Sequence, residues 1–128
     1  MARVRVKGQH VPPLKAGHPW IFAQAVDGID GSPGPGDIVD VTDPSGGFLG
    51  RGFYSKGSAI PLRILTTKDD EALDLGFFER RLAAALALRL DFGLPNDSTT
   101  GFRLVNAEGD SLAGLTIDVF GEAVVVRF

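Results

Sequence analysis

Cysteine is absent from the 128-residue sequence, and histidine occurs only twice. Without a thiol the chain can form no disulfide, no thiolate nucleophile and no cysteine-ligated metal site. Two histidines alone do not make a zinc site either. These absences exclude cysteine-dependent catalysis and the common structural metal domains, and they fit a cytoplasmic setting best.

Long apolar runs are also absent. No stretch approaches the roughly 20 residues that a membrane span needs, and no apolar segment of a signal peptide follows the basic start MARVRVKG. We therefore expect no membrane partner. The hydrophobic content of 44% is that of a globular chain, long enough for one ordinary domain or two small ones.

Charge is distributed unevenly along the chain, although the net charge is only −3. Residues 1–68 contain eight Lys and Arg against five Asp and Glu, whereas residues 69–128 contain five against eleven. Two halves of opposite sign predict two units with different roles. The basic half is the candidate for binding a phosphate backbone, and the acidic half is expected to be scaffold.

Closely spaced strand patterns dominate the first half. They cover residues 3–7, 20–22, 37–42, 48–54 and 59–65. Residues 11–17 (VPPLKAG) can form one helical turn, and residues 27–36, rich in Gly and Pro, predict a loop. Strands this short and this close are typical of a small barrel or sandwich. Gly50 and Gly52 lie inside a strand, which indicates a bulge or sharp bend.

The first strand pattern has a basic face formed by Arg3, Arg5 and Lys7, with Val4 and Val6 on the other side. Such a face is either a solvated strand edge protected from aggregation by its charges or a surface that meets RNA. The pattern alone does not decide between the two.

The second half predicts a helix, a hairpin and one more strand. Asp74 is a suitable N-cap, and Gly93 and Pro95 are expected to end the helix. The apolar face of that helix is predicted to contain Phe78, Leu82, Ala85, Leu86 and Arg89. Residues 101–118 (GFRLVNAEGDSLAGLTID) predict the hairpin, and residues 123–128 predict the last strand. The expected fold class is mainly β, with an α+β second part.

Three carboxylates, Glu108, Asp110 and Asp118, fall near the turn of that hairpin. They permit a catalytic or metal-binding interpretation, and also a structural one in which each carboxylate accepts hydrogen bonds from the turn. Arg103 is available as a neutralising partner. Because no histidine is near by and the chain has no cysteine, the structural interpretation is favoured.

Three blocks of sequence stand out when the chain is read as a whole: HPWIF (18–22), GDIVDVTDPSGGFLGRGFYSKGSAIPLRIL (36–65) and RLVNAEGDSLAGLTID (103–118). In this order they resemble the N-terminal region of the bacterial 23S ribosomal RNA large-subunit methyltransferase I family. Members of that family are S-adenosylmethionine-dependent cytosine-C5 methyltransferases. Ala113 stands where a proline of the family is expected before Gly-Leu.

The resemblance implies an RNA-binding, PUA-like pseudo-barrel at residues 1–66 and a partial central α+β domain at residues 67–128. The Rossmann-like domain of the family, with S-adenosylmethionine and the catalytic cysteine, would then lie beyond residue 128. This chain has no glycine-rich cofactor loop and no cysteine, so we expect a truncated fragment without catalysis. Its partner would be RNA, namely 23S rRNA.

PUA domains hold RNA between their first short helix and their last barrel strands, and the resemblance carries this role to seven residues. They are Lys15, Gly17 and His18 near the helix, and Arg51, Tyr54, Lys56 and Arg63 in the strand block. The cations would meet phosphates, and the N–H of Gly17 could approach the RNA backbone. Tyr54 could stack on an unpaired base or belong to the core. No residue is expected to be catalytic or to bind a metal.

Two other functions remain open. One is a small carboxylate-dependent hydrolase or metal site built on the three carboxylates, and the other is a protein-interaction scaffold without RNA contact. The strand at residues 123–128 further predicts an open sheet edge that pairs with a second copy, which would give a homodimer joined through that strand.

Overall fold

The computed structural model describes residues 1–128 and divides them into two units, Met1–Leu73 and Asp74–Phe128. The first unit contains β1 (Arg3–Val6), α1 (Val11–Lys15), β2 (Trp20–Ile21), β3 (Val26–Asp30), β4 (Ile38–Thr42), β5 (Phe48–Tyr54) and β6 (Leu62–Thr66). The second contains α2 (Leu75–Asp91), β7 (Gly101–Asn106), β8 (Thr116–Phe120) and β9 (Ala123–Arg127). Neither α-helix has the length and apolar character needed to cross a membrane.

The six strands of the first unit form one sheet in the order β2-β6-β5-β4-β1-β3. β1 runs parallel to β4, and all other pairings are antiparallel. Register shifts interrupt three of the pairs, at Arg5/Val6, Val41/Thr42 and Arg51/Gly52. Because such irregularities bend a strand and increase its twist, they curl the sheet. The predicted mainly β fold with an α+β second part is confirmed.

One face of this curled sheet carries the core of the first unit. Val4 and Val6 are 1% and 0% exposed, and they pack with Val39 and Val41 of β4. Since successive side chains of a strand point to opposite faces, the charged residues of β1 lie on the other side, as its alternation predicted. Leu14 joins the same cluster and so anchors α1 against the sheet.

Glycine is required where β5 runs beside β6. A Cβ on Gly52 would lie 2.0 Å from the carbonyl oxygen of Arg63, and a Cβ on Gly50 would lie 2.8 Å from Cγ2 of Ile64. Neither position can hold a side chain unless the neighbouring strand moves. The register shift between Arg51 and Gly52 confirms the bulge that these glycines predicted.

A strand replaces part of the loop predicted at residues 27–36, because β3 pairs antiparallel with β1. Nε of Arg5 donates to Oδ2 of Asp27 at 3.1 Å. Gly28 lies opposite Arg5 and leaves room for it, since a Cβ there would lie 2.6 Å from a guanidinium nitrogen. This strand is specified by an ion pair and a close approach rather than by apolar alternation, so the periodicity of the sequence did not reveal it.

Helix α2 begins as predicted, and the face that it buries overlaps the predicted one in part. Oδ1 of Asp74 accepts a hydrogen bond from the N–H of Phe77 at 2.9 Å, which is the expected N-cap. The buried side chains are Phe77 and Ala85, whereas Leu86 is 41% exposed. Of the predicted face, Ala85 is buried and Phe78, Leu82 and Arg89 are half-buried. The prediction missed Phe77, because two adjacent phenylalanines fit the helical spacing almost equally well.

The hairpin predicted at residues 101–118 is confirmed. β7 and β8 pair antiparallel with Arg103 opposite Asp118, and β9 adds a third strand beside β8. Val105 and Leu112 are fully buried beneath this sheet segment. The second unit therefore combines one helix with a three-stranded antiparallel sheet.

We expect Gly52→Ala to destabilise the first unit by about 2–3 kcal/mol, because the new methyl group must push β6 outward. Trp20, the only tryptophan, lies in β2 beside β6, so its fluorescence reports urea unfolding of this unit. Gly8→Ala is the matched control: its Cβ would come no closer than 3.8 Å to a neighbouring atom, so a change within about 1 kcal/mol is expected. Equal midpoints for Gly52→Ala and wild type would contradict the close approach.

Candidate nucleic-acid interface

Helix α1 ends at an open glycine. Gly17 has a φ of +102°, which suits a residue that closes a helix, and a Cβ on it would meet nothing within 4 Å. The N–H of Gly17 already donates to the carbonyl of Leu14 at 3.0 Å. This N–H is therefore already engaged within the turn, and what the position offers a ligand is open space.

Three aromatic rings cluster directly after this turn. The ring centroids of His18 and Trp20 lie 5.8 Å apart, and those of Trp20 and Phe22 lie 6.3 Å apart. Nδ1 of His18 accepts a hydrogen bond from the N–H of Trp20 at 3.3 Å, so Nε2 is its other polar atom. Phe22 was not among the predicted site residues. β2 ends before it and a 3₁₀ turn follows, which leaves its side chain 38% exposed.

Backbone hydrogen bonds bring the β5–β6 loop beside this cluster. The N–H of Ala23 donates to the carbonyl of Ala59 at 3.0 Å, and the N–H of Ile64 donates to the carbonyl of Pro19 at 2.7 Å. Lys56 lies exposed in that loop. Two segments that the resemblance singled out, one after α1 and one between β5 and β6, therefore adjoin each other.

Arg63 lies on the strand paired with β2, and Lys15 ends the helix that precedes β2. Arg63 is half-buried on β6, in register with Trp20 on one side and Phe53 on the other. Lys15 is exposed at the end of α1. The pKa of Asp43 is lowered mainly by hydrogen bonds within the turn that contains it. The positive charge of Lys15 makes a smaller contribution to this lowering. The carboxylate of Asp43 therefore offsets part of the positive electrostatic potential around Lys15.

Arg51 serves the first unit internally. Its Nε donates to Asp40 at 2.7 Å, and its Nη1 and Nη2 donate to the carbonyls of Glu71 and Asp69 at 2.5 and 3.2 Å. Its guanidinium carbon also lies 5.3 Å from the ring centre of Phe48. With its side chain only 11% exposed, Arg51 ties residues 69–71 to the sheet. This geometry favours a structural role over the phosphate contact that the sequence predicted.

Tyr54 packs against the core cluster of the first unit. It also lines an apolar cavity of about 340 Å³ together with Val26, Ile29 and Pro61. The sequence left open whether this ring stacks on a base or belongs to the core. Its surroundings are those of a core residue.

The first unit carries no net positive charge, although residues 1–68 taken alone do. Residues 69–71 are all acidic and belong to Met1–Leu73, so this unit contains eight cations and eight anions. Ion pairs join Arg5 to Asp27 and Asp30, and Arg51 to Asp40. Lys15, Lys56 and Arg63 take part in none of these pairs, and neither do Arg3, Lys7 and Lys68. The end of α1, β6 and the β5–β6 loop are therefore among several places where a ligand could meet positive charge.

In the second unit, Asp110 is held by Arg89 of α2. The two carboxylate oxygens accept from Nη1 and Nη2 at 2.6 and 2.8 Å, and the N–H of Asn106 donates to Oδ2 at 2.6 Å. The Asp110 side chain is only 5% exposed. Hydrogen bonds from Arg89 are the main cause that lowers the pKa of Asp110, with smaller contributions from Asn106 and the Arg89 charge and partial opposition from burial.

Asp118 binds a different arginine. Nε and Nη2 of Arg103 donate to its two oxygens at 2.8 and 3.1 Å, and these hydrogen bonds lower the pKa of Asp118. The sequence had named Arg103 as the neutralising partner. No group of three or more His, Asp or Glu side chains is placed to hold a metal ion. The geometry therefore supports the structural interpretation of the hairpin carboxylates over a hydrolase or metal site.

We expect Asp110→Asn to destabilise the second unit by roughly 3 kcal/mol at pH 7, because it leaves the buried Arg89 charge without its partner. The pKa of Asp110 is lower in the folded than in the unfolded state, so its ionisation stabilises the folded state at pH values above the ordinary pKa near 4. This stabilisation is lost as the pH falls through the pKa of the folded state. The difference between wild type and variant should therefore shrink below about pH 4. Far-UV circular dichroism of α2 during urea unfolding measures both effects.

Asp118→Asn is the matched control for this experiment. Its arginine partner is 45% exposed, so solvent screens the pair and a smaller loss than for Asp110→Asn is expected. Equal losses in the two variants would contradict the special role of the Arg89–Asp110 pair.

A family model described as a PUA-like domain matches residues 4–67, half of the chain. The chain belongs to the PUA-like domain family. The match runs from β1 to the end of β6, so the curled sheet of the first unit is the PUA-like domain. All seven residues that the sequence singled out for RNA lie within it.

Curated relatives confirm the resemblance seen in the sequence. Ribosomal RNA large subunit methyltransferase I from Alteromonas mediterranea is 47% identical over 114 residues, which are 89% of this chain and 28% of that protein. The protein of the same name from Shewanella amazonensis is 41% identical over 125 residues, or 98% of this chain and 31% of that protein. The chain thus spans less than a third of the length of these relatives.

Two solved structures share the fold. One is of SMU.776 in complex with SAH, and the other is of a protein from Streptococcus mutans assigned as a SAM-dependent methyltransferase. Each superposes with a TM-score of 0.81 at 24% identity, covering 98% of this chain and 32% of the other. The PUA-like domain and the second unit are therefore both found in a known architecture.

Proposed function

We propose that the PUA-like domain binds RNA, and that this chain is the substrate-recognition part of a ribosomal RNA methyltransferase acting on 23S rRNA. The names of the curated relatives support this proposal, as does membership of the PUA-like family. The observation that carries it is that Lys15, Lys56 and Arg63 take part in none of the ion pairs of the unit, while Gly17, two residues after Lys15, leaves open space at the end of α1.

These cations are suited to contacts with phosphate oxygens. Contacts of this kind fix the register of a nucleic acid on a protein without reading its sequence. Lys15 and Lys56 are exposed and so need little desolvation, whereas Arg63 is held in place by its strand. His18, just after the end of α1, adds a polar imidazole. Arg51 is not part of the proposed interface, because its donors already bind Asp40 and the carbonyls of Glu71 and Asp69.

The methyl donor expected of the whole protein is S-adenosylmethionine. The residues of this chain do not fit it, because β6 is followed by α2 but the next strand, β7, lies in the other sheet. A Rossmann-type cofactor site needs a strand, a glycine-rich loop and a helix that returns to the same parallel sheet. The role proposed for this chain is therefore recognition of the substrate.

We expect binding of a structured rRNA hairpin to weaken steeply between 50 and 200 mM salt, because cations are released from the RNA as lysines neutralise phosphates. Lys15→Gln and Lys56→Gln should each reduce the slope of log K against log salt by roughly one. Fluorescence anisotropy of a labelled hairpin measures affinity and slope together.

Lys68→Gln is the matched control, since Lys68 is an exposed lysine outside the proposed interface. It should leave the slope within error of wild type. Absent or salt-insensitive binding would overturn the proposal and favour a protein-interaction scaffold.

We further propose that β9 pairs with β9 of a second copy. β9 is the outer strand of the order β7-β8-β9, and all five of its residues are exposed. An edge strand presents unpaired N–H and C=O groups, and two identical edges can pair antiparallel about a two-fold axis. Val124 and Val126, 58% and 59% exposed, would be covered in such a dimer.

Light scattering over a hundredfold range of protein concentration should detect a dimer of the wild-type chain, and Val126→Lys should weaken it at least tenfold because lysine blocks edge pairing. Leu90→Lys adds the same charge at a position of similar exposure, 56%, on α2 and should leave dimerisation unchanged. A wild type that stays monomeric at all concentrations would refute the pairing.

A further inference from the structure

We propose that the cavity between α1 and β2 receives a single unpaired nucleobase of the bound RNA, an inference that rests on the proposed RNA-binding function. The cavity measures about 170 Å³ and is lined by His10, Pro13 and Leu14 on one side and by His18, Trp20 and Phe22 on the other. Sites for drug-sized ligands are larger, roughly 300–1,000 Å³. The space is suited to one planar ring system.

The rings around the cavity leave room for a stacked partner. The His18 and Trp20 planes stand at 90°, and the Trp20 and Phe22 planes at 80°. In an edge-to-face pair the ring that contributes its edge keeps its own faces free of that partner, so a planar base can add the offset stacking that aromatic groups favour. Phe22 is 38% exposed, and its burial by a base would remove apolar surface from water.

Hydrogen-bonding groups in the wall favour a base over an apolar side chain. His10 and His18 each bring an imidazole, and Nε2 of His18 is not engaged by the bond that its Nδ1 accepts from Trp20. An imidazole can donate to or accept from the edge of a heterocycle. The larger apolar cavity beside Tyr54 has no imidazole or cation in its wall, so it does not offer this chemistry.

Two cations next to residues of the cavity wall favour a nucleotide over a free aromatic ligand, since Lys15 follows Leu14 and Arg63 pairs with Trp20. Lys15 lies at the end of α1, and Arg63 lies opposite Trp20 in the sheet. A nucleotide inserted by its base brings phosphate groups with it, and cations adjacent to the wall of the pocket are suited to meet them. Open space at Gly17 lets the sugar–phosphate backbone pass. The pocket would thus select RNA with an unpaired residue over continuous duplex.

Trp20 gives a direct readout, because it is the only tryptophan of the chain and lines the pocket. Three RNAs differ at one position only: a continuous duplex, the same duplex with one bulged nucleotide, and that duplex with an abasic bulge. We expect the bulged RNA to bind about tenfold tighter than the abasic RNA, since stacking of a base is lost in the latter. It should also quench Trp20 fluorescence, whereas the other two should not.

Phe22→Leu and His18→Gln should each remove most of this tenfold preference while leaving the salt slope of binding unchanged. Phe92→Leu, at an exposed phenylalanine of the second unit, is the matched control and should keep the preference. Equal, salt-dependent affinity for bulged and abasic RNA would overturn the base pocket and leave the proposed function standing. Failure of all three RNAs to bind would overturn both, and quenching of Trp20 by heparin, a polyanion without bases, would also count against the pocket.

Discussion

The close approach of β5 to β6 at Gly52 is the constraint on which the PUA-like domain depends. A carbonyl oxygen of β6 occupies the place of a side chain there, so β5 can bend across its neighbour at the bulge. That bend sets the register in which Arg63 lies between Trp20 and Phe53. It also brings the β5–β6 loop against the segment after α1. Gly52 thus shapes the candidate interface without taking part in it.

Local pairing, rather than net charge, separates structural cations from those available to a ligand. Arg51 and Arg63 both lie on strands of one sheet, but only Arg51 has its donors directed to a carboxylate and two carbonyls. A charge count along the sequence cannot distinguish them. The acidic residues 69–71 illustrate the same point, because two of their carbonyls accept from Arg51 and the segment folds with the basic half it follows.

Elements specified by local signals were predictable, and those specified across the sheet were not. The alternation and glycines of β5 predicted residues 48–54, and the strand spans Phe48–Tyr54. β3 was missed because its partner Arg5 lies 22 residues away from Asp27, and no local pattern encodes such a pair. The engaged N–H of Gly17 and the exposure of Phe22 likewise depend on how the chain turns after α1 and β2. Residue type was enough to predict which residues are candidates for the interface. Whether their polar groups and rings are free to contact a ligand could be seen only from the structure.

The hairpin carboxylates show why clustered acidic residues in a sequence are weak signals of chemistry. Asp110 and Asp118 each bind one arginine through two oxygens, and this stabilises the charged form of both. A carboxylate held in this way is a poor general base, since a lowered pKa reduces its affinity for a proton. The same pairing reduces the charge available to attract a cation. In the second unit Asp110 and Asp118 therefore act as fixed partners of arginine.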